Sequence, residues 1–504
     1  MGDMPRFLPP LLLVASIIGL LPRPLTAQVR VGEIVEVAIE TPHPFPHAPQ
    51  GAAGRSVVWS HTLHHPGATF LKLHFALLDA QEVVLTDGTG RVHEVLRGRK
   101  EADFWSRSVH GDTVLIELHA DANARGFGFS IDQYGYGTEP LFTDALQSEL
   151  PDTPPRSVCG TNDATGICEA IVPERIRLSD AVGRLLFAGD CGGMFACTGF
   201  LFSPDGKFMT NGHCANSPRE SRSMEVWFNY LGGGGKDGAA APECGLLDRP
   251  NPDVFRAKRF LQKHCDLDFA VHLLGDAATG NPADMYGYLP LSDRLPSSAE
   301  PVWVPQHPRG QGKAIAEEHA LVSTPLLAGL RFCHEQQRCR FSPGQPTGVT
   351  SEFGYTADTE PGSSGAPVLD ANNQVIGLHH AGGCSALGGE NQGVLMAAIL
   401  PMLGDTPEAR FTTTPTRRNG RAPFSLTFDG SASRDPNGGM IREYRWDFGD
   451  GSPLLTGPEA TVFHLYAAKG TYRVFLWVAN EKGQTSVKPA TKQVIVRKAS
   501  PEEP

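Results

Sequence analysis

The chain has 504 residues, 40% of them hydrophobic, with 56 glycines, 41 prolines and a formal net charge of −11. That length suits two to four domains, so much turn chemistry favours many short strands over helices, and the acidic balance argues against a nucleic-acid partner. All ten cysteines lie between Cys159 and Cys384, so one domain is stapled and its neighbours are not.

At the N-terminus a basic residue, Arg6, precedes an apolar run from Phe7 to Leu21, and Leu25-Thr26-Ala27 follows. Residues 1–27 read as a signal peptide, with a mature start near Gln28 and a secreted product, extracellular or periplasmic. The run is short and broken by Pro9 and Pro10, which argues against a membrane anchor, and no later stretch is long and apolar enough to span a bilayer.

Residues 28–137 alternate apolar and polar side chains, as in Phe70-Leu71-Lys72-Leu73-His74-Phe75 and Thr113-Val114-Leu115-Ile116-Glu117-Leu118, with Gly and Asp clusters between. This predicts an antiparallel β-sandwich. The stretch from Gly111 to Phe129 resembles the last strands of CUB-like domains. Seven histidines (His61, His64, His65, His74, His93, His110, His119) show no repeated ligand spacing and read as strand or surface residues rather than a metal site. Residues 138–157, rich in Pro, Asp and Glu, read as a linker. The Arg156–Ser157 bond just before Cys159 offers a cleavage point that would make residues 28–156 a pro-segment.

The central region, 158–404, carries three segments with chemical meaning. The strand-like Cys197-Thr198-Gly199-Phe200-Leu201 leads to Met209-Thr210-Asn211-Gly212-His213-Cys214. Asp266-Leu267-Asp268 precedes the apolar Phe269-Ala270-Val271. Pro361-Gly362-Ser363-Ser364-Gly365-Ala366-Pro367 brackets a serine with glycines. A serine hydroxyl becomes a nucleophile when an imidazole takes its proton, and a buried carboxylate must hold that imidazole in one tautomer. The tetrahedral intermediate needs two N–H donors, and a glycine at 362 lets its own N–H and that of Ser364 turn into one oxyanion hole.

In this order the segments resemble chymotrypsin-like peptidases, closest to the bacterial lysyl endopeptidases and the glutamyl endopeptidases, over roughly residues 157–400. Val226-Trp227-Phe228-Asn229-Tyr230, Gln306-His307-Pro308 with Lys313, Glu360–Gly365 and Val375-Ile376-Gly377-Leu378-His379 carry the likeness as well. The resemblance implies an all-β fold: a double six-stranded β-barrel of chymotrypsin type. It also implies His213 as general base, Asp268 rather than Asp266 as its orienter, and Ser364 rather than Ser363 as nucleophile. Implied bridges are Cys197–Cys214, Cys159–Cys384 and Cys168–Cys244, which leaves Cys333–Cys339 and Cys191–Cys265. The departures are Asn211-Gly212 before the histidine and Ala366 after the nucleophile loop. No metal or cofactor is implied, and the cysteine spacings do not suit zinc.

For the side chain preceding the cut bond (P1), the resemblance points two ways. Asp358, six residues before Ser364, and Glu390 stand where trypsin-like and lysyl enzymes carry the acid that selects Lys or Arg. Thr359 and His379 stand where glutamyl endopeptidases bind a carboxylate. Cleavage after Lys or Arg is the favoured expectation. The alternatives are glutamyl specificity or an inactive homologue acting as a secreted binding or adhesion protein.

Residues 405–498 carry Phe428-Asp429-Gly430-Ser431, Trp446-Asp447-Phe448-Gly449-Asp450-Gly451, Tyr466 and Gly470-Thr471-Tyr472. They resemble a PKD domain, an immunoglobulin-like sandwich with Trp446 between its sheets. Such a domain implies a spacer or a binder of insoluble protein or polysaccharide. Calcium at the Asp435–Gly438 turn is not established by these residues. Residues 499–504 form a polar tail.

Overall fold

The computed structural model describes residues 28–43, 48, 54–139, 157–159, 162–167, 170, 172–190, 192–231, 253–275, 280–321, 351–384, 389–404, 406–436, 439–481 and 485–498. The expected signal peptide, Arg156 and the cysteines Cys168, Cys191, Cys244, Cys333 and Cys339 lie outside these residues, and with them three of the five expected bridges. Cys265 is disulfide-bonded. Cys159 pairs with Cys384, and Cys197 with Cys214.

Two barrels form the centre. Strands Val182–Ala188, Met194–Leu201, Lys207–Asn211, Glu225–Phe228, Asp253–His264 and Phe269–Leu274 make the first. Val182–Ala188 pairs with both Met194–Leu201 and Glu225–Phe228, which closes it. The second uses Pro301–Gln306, Ala314–Leu321, Glu352–Tyr355, Pro367–Asp370, Val375–Ala381 and Asn391–Leu395. Pro301–Gln306 closes it by pairing with both Ala314–Leu321 and Pro367–Asp370. Closure removes sheet edges and leaves an apolar interior in each barrel. Phe200, Met209, Val226 and Phe269 fill the first, and Val304, Tyr355, Val368 and Ile376 the second. Ala366 belongs to the second core, where a polar residue would lack a partner.

The alternation in Thr113–Ala120 does what its period demands: Val114, Ile116, Leu118 and Ala120 are buried and the residues between are half-buried. The strand Phe70–Asp87 is different, because its first six residues are all buried. Leu71, Leu73 and Phe75 join the core of the N-terminal region, whereas Phe70 joins a cluster shared with the first barrel. The sequence treats residues 28–137 as a separate sandwich, but its sheet continues into the barrel. Val29–Glu40 pairs along most of its length with Gly128–Gly137, while Val29, Arg30 and Gly32 pair with Ala196, Phe195 and Met194. One 14-stranded sheet results.

The C-terminal region is a sandwich of a three-stranded and a five-stranded sheet. Trp446 is fully buried between them, edge-on to Phe411 at 5.2 Å. The WDFGDG turn closes on its own acids: Gly449 N–H donates to Asp447 (2.8 Å) and Ser452 N–H to Asp450 (3.1 Å).

Candidate active site

The register of the first barrel builds the acid–base pair. Lys207–Asn211 lies against Phe269–Leu274 with Asn211 opposite Phe269, so the residues just beyond Asn211 meet those just before Phe269. Asp268 Oδ1 accepts the His213 backbone N–H at 2.8 Å, and Oδ2 lies 2.7 Å from the ring Nδ1. Asp266, by contrast, is exposed. Asp268 has a left-handed backbone (φ 44°), which an aspartate tolerates better than most residues. Its carbonyl is held by Gly212 N–H and by Asn211 Nδ2, both at 2.9 Å. The unusual Asn211-Gly212 pair therefore has a purpose: Asn211 pins the turn that aims the carboxylate, and Gly212 leaves room beside it.

Burial alone would raise the fully buried Asp268 carboxyl, but the charges and hydrogen bonds of His213 and then His380 hold it below its ordinary value. His380 is a residue the sequence reading missed. It is buried on the second-barrel strand, with Nδ1 at 3.6 Å from Asp268 Oδ2 and Nε2 at 3.7 Å from Glu352 Oε1. The only signal for it is its position beside His379.

The second barrel brings the serine. Thr198 N–H donates to the Ser364 carbonyl at 2.9 Å, and Cys214 Sγ lies 3.7 Å from that same oxygen. Ser364 is thus fixed next to the residue that follows His213. Ser363 turns the other way: it is fully buried, and its Oγ accepts the Glu360 N–H at 3.2 Å. Gly362 has φ 101°, and a Cβ there would sit 2.6 Å from Gly310 N and 3.0 Å from Arg309 N. The glycine is required by the neighbouring turn as well as by its own conformation. Arg309 N–H also donates to the Pro361 carbonyl (2.6 Å), and Thr198 Oγ1 to the Gly362 carbonyl (2.8 Å).

The four expected pocket residues divide. The Asp358 carboxylate is buried and accepts from the backbone N–H groups of Cys159 (2.6 Å) and Asp163 (2.7 Å). These bonds tie it to the start of the domain. Burial, then the Asp358 charge, pushes the Asp163 carboxyl up to about 8. Thr359 is buried, and its Oγ1 has no hydrogen-bond partner among the described residues. His379 Nδ1 is hydrogen-bonded to the Tyr355 hydroxyl, and burial, then the charges of His380 and His213, lowers the ring to about 3, so it is neutral. Glu390 is half-buried at the start of the last barrel strand. A further residue joins these walls. The Ser157 carbonyl accepts from Thr359 N–H (3.2 Å) and Asn391 Nδ2 (2.8 Å). One cluster of metal-type ligand atoms occurs among the described residues, Cys197, His213 and Cys214, but both thiols are spent in the disulfide.

Comparison with known proteins finds two domain families in the chain. The trypsin-like peptidase domain family matches residues 197–378, and the PKD domain family matches residues 405–496. A secreted RxLR effector protein of Plasmopara viticola is 28% identical over 344 residues, 63% of this chain and 76% of that protein. A collagenase of Bacillus cereus is 38% identical over 96 residues, 18% of this chain and 9% of the collagenase. The solved structure of a glutamyl endopeptidase superposes with a TM-score of 0.32 and 20% identity, over 49% of this chain and 96% of that one. The chain therefore carries a trypsin-like peptidase domain followed by a PKD domain.

Proposed function

We propose that the protein is a secreted serine endopeptidase that cleaves peptide bonds through an acyl-enzyme. The observation that carries this reading is the double tie between Asp268 and His213, which leaves Nε2 as the ring atom to work with serine. In the reaction, Ser364 Oγ attacks the scissile carbonyl while His213 Nε2 takes its proton. The oxyanion is received by the N–H groups of Gly362 and Ser364. The same imidazole then protonates the leaving amine, and water repeats the sequence to free the acid. The chemistry as written uses no cofactor. Proteins and peptides are the substrates, and the PKD domain serves to hold the enzyme on insoluble protein or polysaccharide. Among the described residues no helix is long and apolar enough to cross a membrane. Secretion rests on the signal-like residues 1–27.

Two readings stand for the P1 side chain. Cleavage after Lys or Arg now rests on Glu390, because Asp358 is occupied. Cleavage after Glu rests on Thr359 and His379, and it is favoured by a buried Thr359 hydroxyl that has no hydrogen-bond partner among the described residues and by the neutral His379 imidazole. The test is hydrolysis of a peptide library, with Ser364→Ala and a fluorophosphonate probe run in parallel. The expected result is cleavage and covalent labelling, both lost in the variant. A folded protein that neither cleaves nor labels would overturn the proposal in favour of a binding or adhesion role. The residue preceding the cut assigns the pocket.

A further inference from the structure

We propose that residues 28–137 are not a removable pro-segment but a permanently docked module, whose first strand supports the catalytic turn of the peptidase domain. Three observations on different levels of structure carry this.

The first is main-chain pairing. Val29, Arg30 and Gly32 pair with Ala196, Phe195 and Met194, on the strand that continues to Cys197 and Thr198. Stripped of this partner, Met194–Ala196 would keep its barrel neighbour Leu186–Ala188 on one side and expose an open edge on the other, a form that sheets avoid. The second is a shared core. Val31, Phe70 and Trp105 from the module form one buried cluster with Leu186, Met194 and Trp227 of the barrel. Separation would expose large apolar side chains on both surfaces, as expected of an obligate interface and not of a transient one.

The third is a buried ion pair across the junction. Lys72 Nζ donates to Glu225 Oε1 at 2.8 Å, with both side chains 1% exposed. Glu225 also accepts from Ser108 N–H (2.7 Å), Ser108 Oγ (2.8 Å) and Trp227 Nε1 (3.0 Å). A lysine that complete in its burial is retained only with its partner in place. Any cut between residues 139 and 157 would therefore sever the chain without parting the two pieces.

The module also reaches the site. Gln28 Nε2 donates to the His213 carbonyl and to that of Cys214. A Cβ on Gly310 would meet Ala196, Val29 and Val31, so the first strand packs directly against the turn that touches Gly362. Arg184 Nε, from the adjoining barrel strand, holds the Gly310 carbonyl at 2.5 Å.

The test replaces part of residues 140–156 with the recognition sequence of a site-specific protease and cuts the purified full chain there. The expected result is that both fragments elute as one species in native gel filtration and part only in denaturant. Two native peaks would overturn docking. The supporting role rests on the proposed peptidase activity and is read separately. Lys72→Ala in the cuttable chain should release the fragments, and the freed peptidase fragment should lose roughly tenfold or more in kcat/KM, restored by adding an N-terminal fragment that retains Lys72. A freed fragment as active as the cut complex would overturn the support. Fluorophosphonate labelling of the uncut chain tells this failure from failure of the peptidase reading, since co-elution needs no activity.

Discussion

The two flanking regions attach to the same barrels by different physics. The N-terminal one joins by main-chain hydrogen bonds, a common apolar cluster and a buried ion pair. The PKD domain docks by side chains. Arg445 donates to the Pro204 carbonyl (3.1 Å), Arg473 to Asn372 and Gln374 (2.8 and 3.0 Å), and Lys488 pairs with Asp293 in an exposed position. Apolar contact across this seam includes Trp477 and Val487, and beside it lies a cavity of about 610 Å³ lined by Leu400, Pro401, Pro407 and Pro489. Sheet continuity makes one folding unit with the barrel, whereas side-chain docking makes a neighbour. On the proposals above, the first module supports the catalytic turn and the second holds the protein on its substrate.

The sharpest way to break this contrast is at the buried pair. Lys72→Ala leaves the Glu225 carboxylate in a dry site without its cation, and breaking such a pair costs about 3–5 kcal/mol. The double replacement Lys72→Met with Glu225→Gln should recover part of that loss, because it removes the uncompensated charge while the amide oxygen can still accept from Ser108 and Trp227. Lys488→Ala on the other flank removes an exposed pair and should cost under about 1 kcal/mol. Urea unfolding of the three variants ranks them. Equal losses for Lys72→Ala and Lys488→Ala would erase the distinction between the flanks.

Acid probes the same junction with no mutation. Burial alone would raise the Glu225 carboxyl, but Lys72, Trp227 and Ser108 outweigh it and hold the group at about 2, below its ordinary 4.5. A depressed carboxyl contributes stability that is complete above its ordinary pKa and is lost as pH falls through the folded value. Docking of the cut N-terminal fragment should therefore hold at neutral pH and weaken progressively from about pH 4.5 towards 2. A fragment that stays bound with unchanged affinity at pH 3 would mean that Glu225 is not a main contributor.

These features differ in how far the sequence discloses them, and the difference follows sequence distance. The motifs around His213, Asp268 and Ser364, and the WDFGDG turn, are local strings whose chemistry can be read in place. Lys72 reads as the solvent-facing member of an alternating strand, because its partner lies 153 positions away and the second face of the strand is covered by the barrel. Asp358 stands at the right spacing for a pocket acid, yet its fate is decided by N–H groups 195 and 199 positions distant. Asn211 looks like a deviation until its amide is seen on the Asp268 carbonyl. Spacing locates a residue on a fold but does not reveal which long-range donor reaches it first.

The smallest expected effect on peptide hydrolysis lies at the PKD seam. Trp477 is nearly fully buried, yet its ring is outside the domain's own core around Trp446 and meets Tyr288 of the peptidase domain edge-on, at 4.6 Å and 87°. Such a pair adds about 0.5–1.5 kcal/mol beyond the area it buries. Trp477→Ala should therefore weaken docking without dismantling either fold. In calorimetry the PKD transition should separate from that of the peptidase domain. Hydrolysis of a soluble peptide should change by less than roughly twofold, because the described ring contacts of Trp477 are with Tyr288 and Phe475. Cleavage of an insoluble protein is the informative counterpart: if the domain positions the enzyme, a loosened seam lowers that rate while the soluble rate stands. Loss of the soluble rate as well would show that the PKD domain supports the barrels after all, and the two flanks would then differ in degree only.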